Sequence, residues 1–138
     1  MNYQQARSYL LSKPEAREDF PFGPEVAVFK IKDKMFATLN TLAKSYETSK
    51  ETSMNLKCDP QEALMLRDIF SAVKPGYHMN KRHWNTIIFD SSIPEGEIAR
   101  MVDDSYALVV KGLTKKLRTP LEIQYSREQL YGPVQPLN

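Results

Sequence analysis

Cysteine occurs once in the 138 residues, at Cys58. A lone thiol cannot close an internal disulfide, so packing alone must hold the fold, and a reducing cytoplasm is the expected compartment. Histidine is nearly as scarce, with only His78 and His83. They stand five residues apart, not the four of one helix face, and no Cys-x-x-Cys or His-Glu-x-x-His accompanies them. Even with Cys58 added, no metal is expected. The five glycines form neither a Gly-x-Gly-x-x-Gly turn nor a phosphate-cradling loop, and no Gly-x-Ser-x-Gly elbow presents a nucleophile. No enzyme and no cofactor are therefore expected. No apolar run approaches the ~20 residues that cross a bilayer, and Met1 to Arg7 lacks a secretory pattern, so no membrane partner is expected.

What the chain does have is an ordinary globular composition, 41% apolar and 26% charged. A chain of this size buries roughly 70% of its unfolded surface, enough for one domain without staples. The net charge of +2 is uninformative as a total, but it is unevenly distributed. Ile69 to Phe89 holds no acid, while Lys74, Lys81 and Arg82 are basic. Asp90 to Val110 carries five acids against Arg100, and Lys111 to Arg118 returns four cations. Blocks of one sign are usually solvated faces, and the last block also suits the C-terminal end of a helix.

Periodicity places the elements. Tyr3, Ala6, Leu10 and Leu11 predict a first helix with Asn2 as N-cap, ended before Pro14. Asp19 to Pro24 is turn-rich, and strands are expected only after it. Glu25–Ile31 and Met35–Leu39 read as a hairpin around Lys32, Asp33 and Lys34. Asn40 to Ser53 is polar enough for an exposed loop or frayed edge. Met54–Cys58 reads as a third strand, and Asp59-Pro60 as the start of a helix reaching about Ala72. Thr86–Phe89 reads as a central buried strand, and a long helix opens near Pro94. From Thr119 the chain has three prolines and little periodicity, which predicts an extended or disordered tail, or an arm packing on another molecule. This order implies an α+β two-layer sandwich, helices on one face of an antiparallel sheet.

The most distinctive stretch is Lys74-Pro-Gly-Tyr-His-Met-Asn-Lys-Arg-His-Trp84. Lys74, Lys81 and Arg82 suit phosphates, and Tyr77, His78, Asn80, His83 and Trp84 offer planar or amide groups beside them. With no acid and a Pro-Gly turn, the segment reads as a positively charged wing. Lys32 and Lys34 would make a second. Packing offers a competing account of several of these residues. Trp84 leads into an apolar strand and reads as core, Asn80 and His78 as caps of loop backbone, and Tyr77 as a cover for the preceding helix end.

Taken with Asp19-Phe-Pro-Phe-Gly23, Phe29-Lys-Ile-Lys-Asp-Lys-Met-Phe-Ala37, Met54-Asn-Leu-Lys-Cys-Asp-Pro60 and Asp104-Ser-Tyr106, this segment resembles the MmcQ/YjbR-like family over residues 1–118. The remainder, 119–138, departs from that pattern. The resemblance implies a compact sandwich similar to secretion chaperones and to CyaY, the frataxin-like fold. It also implies DNA as partner, contacted in a double-wing mode, with His78, Asn80, Lys81, His83 and Trp84 at the motif positions. Iron binding does not carry over, because the first helix has no acid before Glu15. The expected assembly is a monomer or weak homo-oligomer. The alternative is a non-catalytic, chaperone-like module that binds peptides on the open sheet face.

Overall fold

Residues 1–40 and 52–133 are described by the computed structural model. Helix α1 (Tyr3–Leu11) starts where expected. Asn2 accepts the Gln5 amide at 2.9 Å, and the Gln5 side chain accepts the Asn2 amide in return, a reciprocal cap. Strand β1 (Arg17–Asp19) follows at once, ahead of the Phe20–Pro24 turn, so the strands begin earlier than predicted. Three charged residues carry no strand signal of their own. They are strand because they pair with β2 (Val26–Ile31), with Arg7 also holding Glu18 through two hydrogen bonds of 2.8 and 2.7 Å.

β2 and β3 (Lys34–Asn40) form the expected hairpin. Lys32 and Asp33 at its tip both adopt positive φ, 51° and 65°, as a two-residue turn matched to the strand twist requires. The register shifts by one residue beside Phe29, so Phe36 and Ala37 together oppose it. Such a bulge turns both side chains inward, and both are fully buried. The predicted exposed loop after β3 lies, for 41–51, outside the described residues.

β4 (Ser53–Lys57) buries Met54 and Leu56, and Cys58 beyond it, on the face predicted for them. Asp59 then caps α2 (Pro60–Ile69), accepting the Gln61 and Glu62 amides at 3.2 and 3.3 Å. α2 stops at Ile69, short of Ala72, because a short strand β5 (Val73–Pro75) occupies the residues that follow. β6 (Trp84–Ile88) alternates buried and half-buried residues. It lies inside the sheet but is covered fully on one face only, so the reading of a strand buried throughout is corrected. All pairs are antiparallel, and the strand order is β1-β2-β3-β4-β6-β5.

α3 (Glu95–Lys111) crosses the helix-side face of β2, β3 and β4. Tyr106 meets Phe36 edge to face, with ring centres 5.2 Å apart. Beside it the fully buried Ser105 Oγ donates to Phe36 O (2.6 Å) and accepts from the Lys57 amide (2.9 Å). One hydroxyl thus satisfies the backbone where β3 and β4 part beyond their last paired residues. The basic block is corrected here. α3 ends at Lys111, and Lys115, Lys116 and Arg118 belong to a separate helix, α4 (Lys115–Gln124). Of these, Arg118 reaches back to the α3 end, its Nη1 donating to Lys111 O at 3.1 Å.

The predicted tail is also helical through most of its length, in α4 and α5 (Arg127–Tyr131). Pro120 stands within α4. Leu121 and Leu130 are essentially fully buried in the common core, and burial outweighs the poor local propensity. Ser126 and Gln129 form a reciprocal cap on α5. Residues 134–138 lie outside the described part. Among the described residues no helix is long and apolar enough to cross a membrane.

Candidate nucleic-acid interface

Strand directions fix where the two predicted wings emerge. β2 runs toward the Lys32–Asp33 turn, β4 runs parallel to it, and β6 enters the sheet from the 76–83 loop. Both turns therefore leave the same end of the sheet. Their strand pairs are three positions apart in the sheet order, roughly 14 Å at the usual strand spacing. Between them lies Asp59, its carboxylate engaged by the first amides of α2.

The first wing is electrostatically mixed. Lys32 Nζ sits 2.8 Å from Glu15, and this pairing holds the Glu15 carboxyl below its ordinary range. Asp33 is exposed at the tip. Lys34 is exposed and has no partner among the described residues. Lys32 and Lys34 are thus offset by Asp33 and Glu15, and only Lys34 is open to a ligand.

The second wing is free of acids and firmly scaffolded. Gly76 is required by close approach, since a Cβ there would lie 2.8 Å from Trp84 Cβ and 2.9 Å from Trp84 O. The Gly76 amide donates to that same carbonyl at 2.9 Å. Next, the Tyr77 amide donates to Thr86 Oγ1 (2.9 Å), and this hydroxyl donates onward to Asn55 Oδ1. Thr86 faces away from the helices, so the chain after Gly76 bends over the open sheet face. His78 takes a positive φ of 58°, and its ring lies 4.0 Å from that of Tyr77. Asn80 Oδ1 accepts the Arg82 amide at 3.0 Å, the backbone-capping role read from sequence. Lys81 Nζ donates to Gly76 O at 3.1 Å, which closes the loop on itself.

Arg67, on α2, anchors the base of this wing and was not among the predicted site residues. Its Nε donates to Asn85 Oδ1 (2.7 Å), and its Nη2 donates to Lys81 O and to Trp84 O (3.3 Å). Asn85 is buried and passes the tie on, its Nδ2 donating to Ala63 O at 3.4 Å. Nothing in local spacing marks an arginine fourteen residues before Lys81 as its partner.

The predicted residues therefore separate. Arg82 is exposed and has no side-chain partner among the described residues, so it and Lys34 are the open cations. Lys81 and Lys32 have intramolecular partners. His78 is exposed beside Tyr77, and His83 is half-buried, its carbonyl accepting the Cys58 amide at 2.7 Å. Lys74 lies on β5 instead of in the loop, opposite Thr86, and interacts electrostatically with Asp90. Trp84 requires correction. It is half-buried on the face away from the helices, outside the core cluster. Tyr77 covers no helix end. It is 69% exposed at the wing.

The sheet face away from the helices carries one continuous row across all six strands, Asp19, Val28, Thr38, Asn55, Thr86 and Lys74, in which Val28 and Thr38 are buried and the β4–β6–β5 half is the more open. That row is mostly polar. Exposed apolar side chains gather elsewhere, with Leu64, Met65 and Ile69 on the outer side of α2.

Under the second wing, Cys58 is buried and its thiol is pushed up to about 12, chiefly by burial and then by Glu62, Asp104 and Asp59. At pH 8 such a group carries on the order of a thousand-fold less thiolate than a free cysteine. Reaction of the native chain with a thiol-specific disulfide reagent is therefore expected to be much slower than in urea, by less than that factor because a more basic thiolate is also more nucleophilic. Equal rates would show that Cys58 is not held buried.

The model of the YjbR family matches residues 11–108, a span that includes both wings and excludes α4 and α5. The chain belongs to the YjbR family. It is 39% identical to YbdF of Escherichia coli O157:H7 over 83% of this chain and 88% of that protein. It is 30% identical to YjbR of Escherichia coli K12, over 86% and 95% of the two chains. Among solved structures, the Deinococcus radiodurans protein DR2400 matches with a TM-score of 0.77 at 33% identity, over 87% of each chain. A Pseudomonas syringae protein matches at 0.69 and 30% identity, over 78% of this chain and all but 2% of that one, 98% being covered. The YjbR-family assignment thus agrees with the α+β sandwich read from the sequence.

Proposed function

We propose that this YjbR-family protein binds DNA through its two wing turns, in a non-catalytic role. The observation that carries the reading is their common placement. Two protruding turns leave one end of the sheet roughly 14 Å apart, comparable with a major groove about 12 Å wide. The second wing supplies most of the attraction, because it is acid-free and presents Arg82, whereas Glu15 and Asp33 offset the first. Its hydrogen-bonded scaffold means that little ordering accompanies contact, which favours affinity. Loss of a cation engaged with phosphate weakens binding and reduces the counterions released.

Lys34→Ala combined with Arg82→Ala is the clean test, since neither side chain supports the fold among the described residues. Fluorescence anisotropy with a labelled duplex across a salt series should show weaker binding. The slope of log affinity against log salt should flatten by about 0.9 for each phosphate contact removed. Absence of any salt-dependent binding by the unaltered chain would refute the proposal.

A further inference from the structure

The sheet half formed by β4, β6 and β5 combines features that a duplex contact does not use. Trp84, the single tryptophan of the chain, lies half-buried on the open face, with Lys57 as its register partner on β4. One step along the strands, the polar pair Asn55 and Thr86 leads across to Lys74 at the sheet edge. The Tyr77 amide is tied to Thr86, so the loop bends over this face, with the Tyr77 ring 69% exposed. Contact with His78 and the positive φ at that residue hold the turn behind it. Trp84 therefore stands opposite Lys57, and the Tyr77 backbone is tied to Thr86, the register partner of Lys74, with Arg82 exposed in the same loop. Among the described residues, the acids near this half have partners of their own: Asp90 accepts the Ser92 amide at 2.9 Å and lies near Lys74 at the edge, and Asp59, beyond the end of β4, accepts the first amides of α2.

Rings presented beside cations suit a chain of phosphates with free base faces. A duplex hides those faces in its own stack, and an apolar peptide has no use for the cations or for the polar row. We propose that the β4–β6–β5 half of the open face, walled by residues 76–79, binds single-stranded nucleic acid. Bases stack on Tyr77 and Trp84, and phosphates meet Lys57, Lys74 and Arg82. This inference extends the nucleic-acid reading above and rests on it, adding a single-strand surface beside the duplex-facing wings, with Arg82 common to both.

Trp84 makes the test direct, because stacking of a base on the only indole quenches its fluorescence. The unaltered chain and Tyr77→Ala are titrated with an oligo-dT, an oligo-rU and a mixed-sequence duplex, following both tryptophan emission and labelled-strand anisotropy. Saturable quenching by at least one single strand is expected, with little change in emission on adding duplex. Tyr77→Ala should weaken single-strand binding by roughly 5- to 100-fold, the range for loss of one stacked base, and weaken duplex binding by less. Tyr77 is exposed, so the variant should fold, and far-UV circular dichroism checks this. Salt-dependent duplex binding with no quenching by either single strand would overturn this inference and leave the proposed function standing. No binding of any strand would remove both.

Discussion

Replacing Arg67 with alanine is expected to destabilise the fold by about 2–4 kcal/mol and to loosen the second wing. The guanidinium donates to Asn85, Lys81 O and Trp84 O, three acceptors that fix the C-terminal end of the loop where it enters β6. Hydrogen bonds from a charged donor contribute more than neutral ones, and truncation strands the partners as well as removing the donor. Asn85 suffers most, because it is only 2% exposed and water cannot readily replace the lost donor. Urea unfolding monitored by Trp84 emission measures the effect, since the indole sits at the base of the affected loop. The cations remain in place, so DNA affinity should fall while its salt slope changes little. A midpoint unchanged in urea would show that the three hydrogen bonds do not hold the wing.

Gly76→Ala is expected to cost about 1–3 kcal/mol, by overpacking and not by lost contact. The added carbon would lie 2.8 Å from Trp84 Cβ, 2.9 Å from Trp84 O and 3.0 Å from Met79 Cβ. The first two belong to the strand itself and cannot swing aside as the tip of a side chain can. Relief requires the β5–β6 ladder to open at the point where the Gly76 amide donates to Trp84 O. A lower urea midpoint with unchanged far-UV circular dichroism is the expected signature, accompanied by faster reaction of Cys58. Unaltered stability would mean that the loop can re-form around a Cβ, contrary to the tight approach described.

The two substitutions touch different kinds of information in the chain. Gly76 stands beside Pro75 in a stretch that already reads as a turn, so its importance was visible locally. Arg67 was visible only as a helix residue. Its role depends on α2 lying against β6, a long-range packing that no spacing along the chain encodes. Tyr77 and Trp84 show a subtler difference. Both were recognised as aromatics beside cations, but the sheet face of Trp84 follows from its register with Lys57, and the exposure of Tyr77 from the Thr86 tie. Apolar character alone assigned Trp84 to the core, which was the wrong face.

By itself the sequence determined the elements whose causes are local. Asn2 and Asp59-Pro60 start helices because their side chains or ring suit unpaired amides, and Lys32-Asp33 turns a hairpin between two alternating runs. The same local patterns were enough for the α+β class. Tertiary structure decided whatever depends on a partner distant in sequence. β1 and β5 are three residues each, too short to be strands without the neighbours that pair them. α4 and α5 fold because Leu121 and Leu130 find the core, despite Pro120. The wings share one end because strand direction and order place them there. The physical reason is common to all of these: capping and turn energies act within a few residues, whereas burial and pairing depend on what the rest of the chain brings alongside.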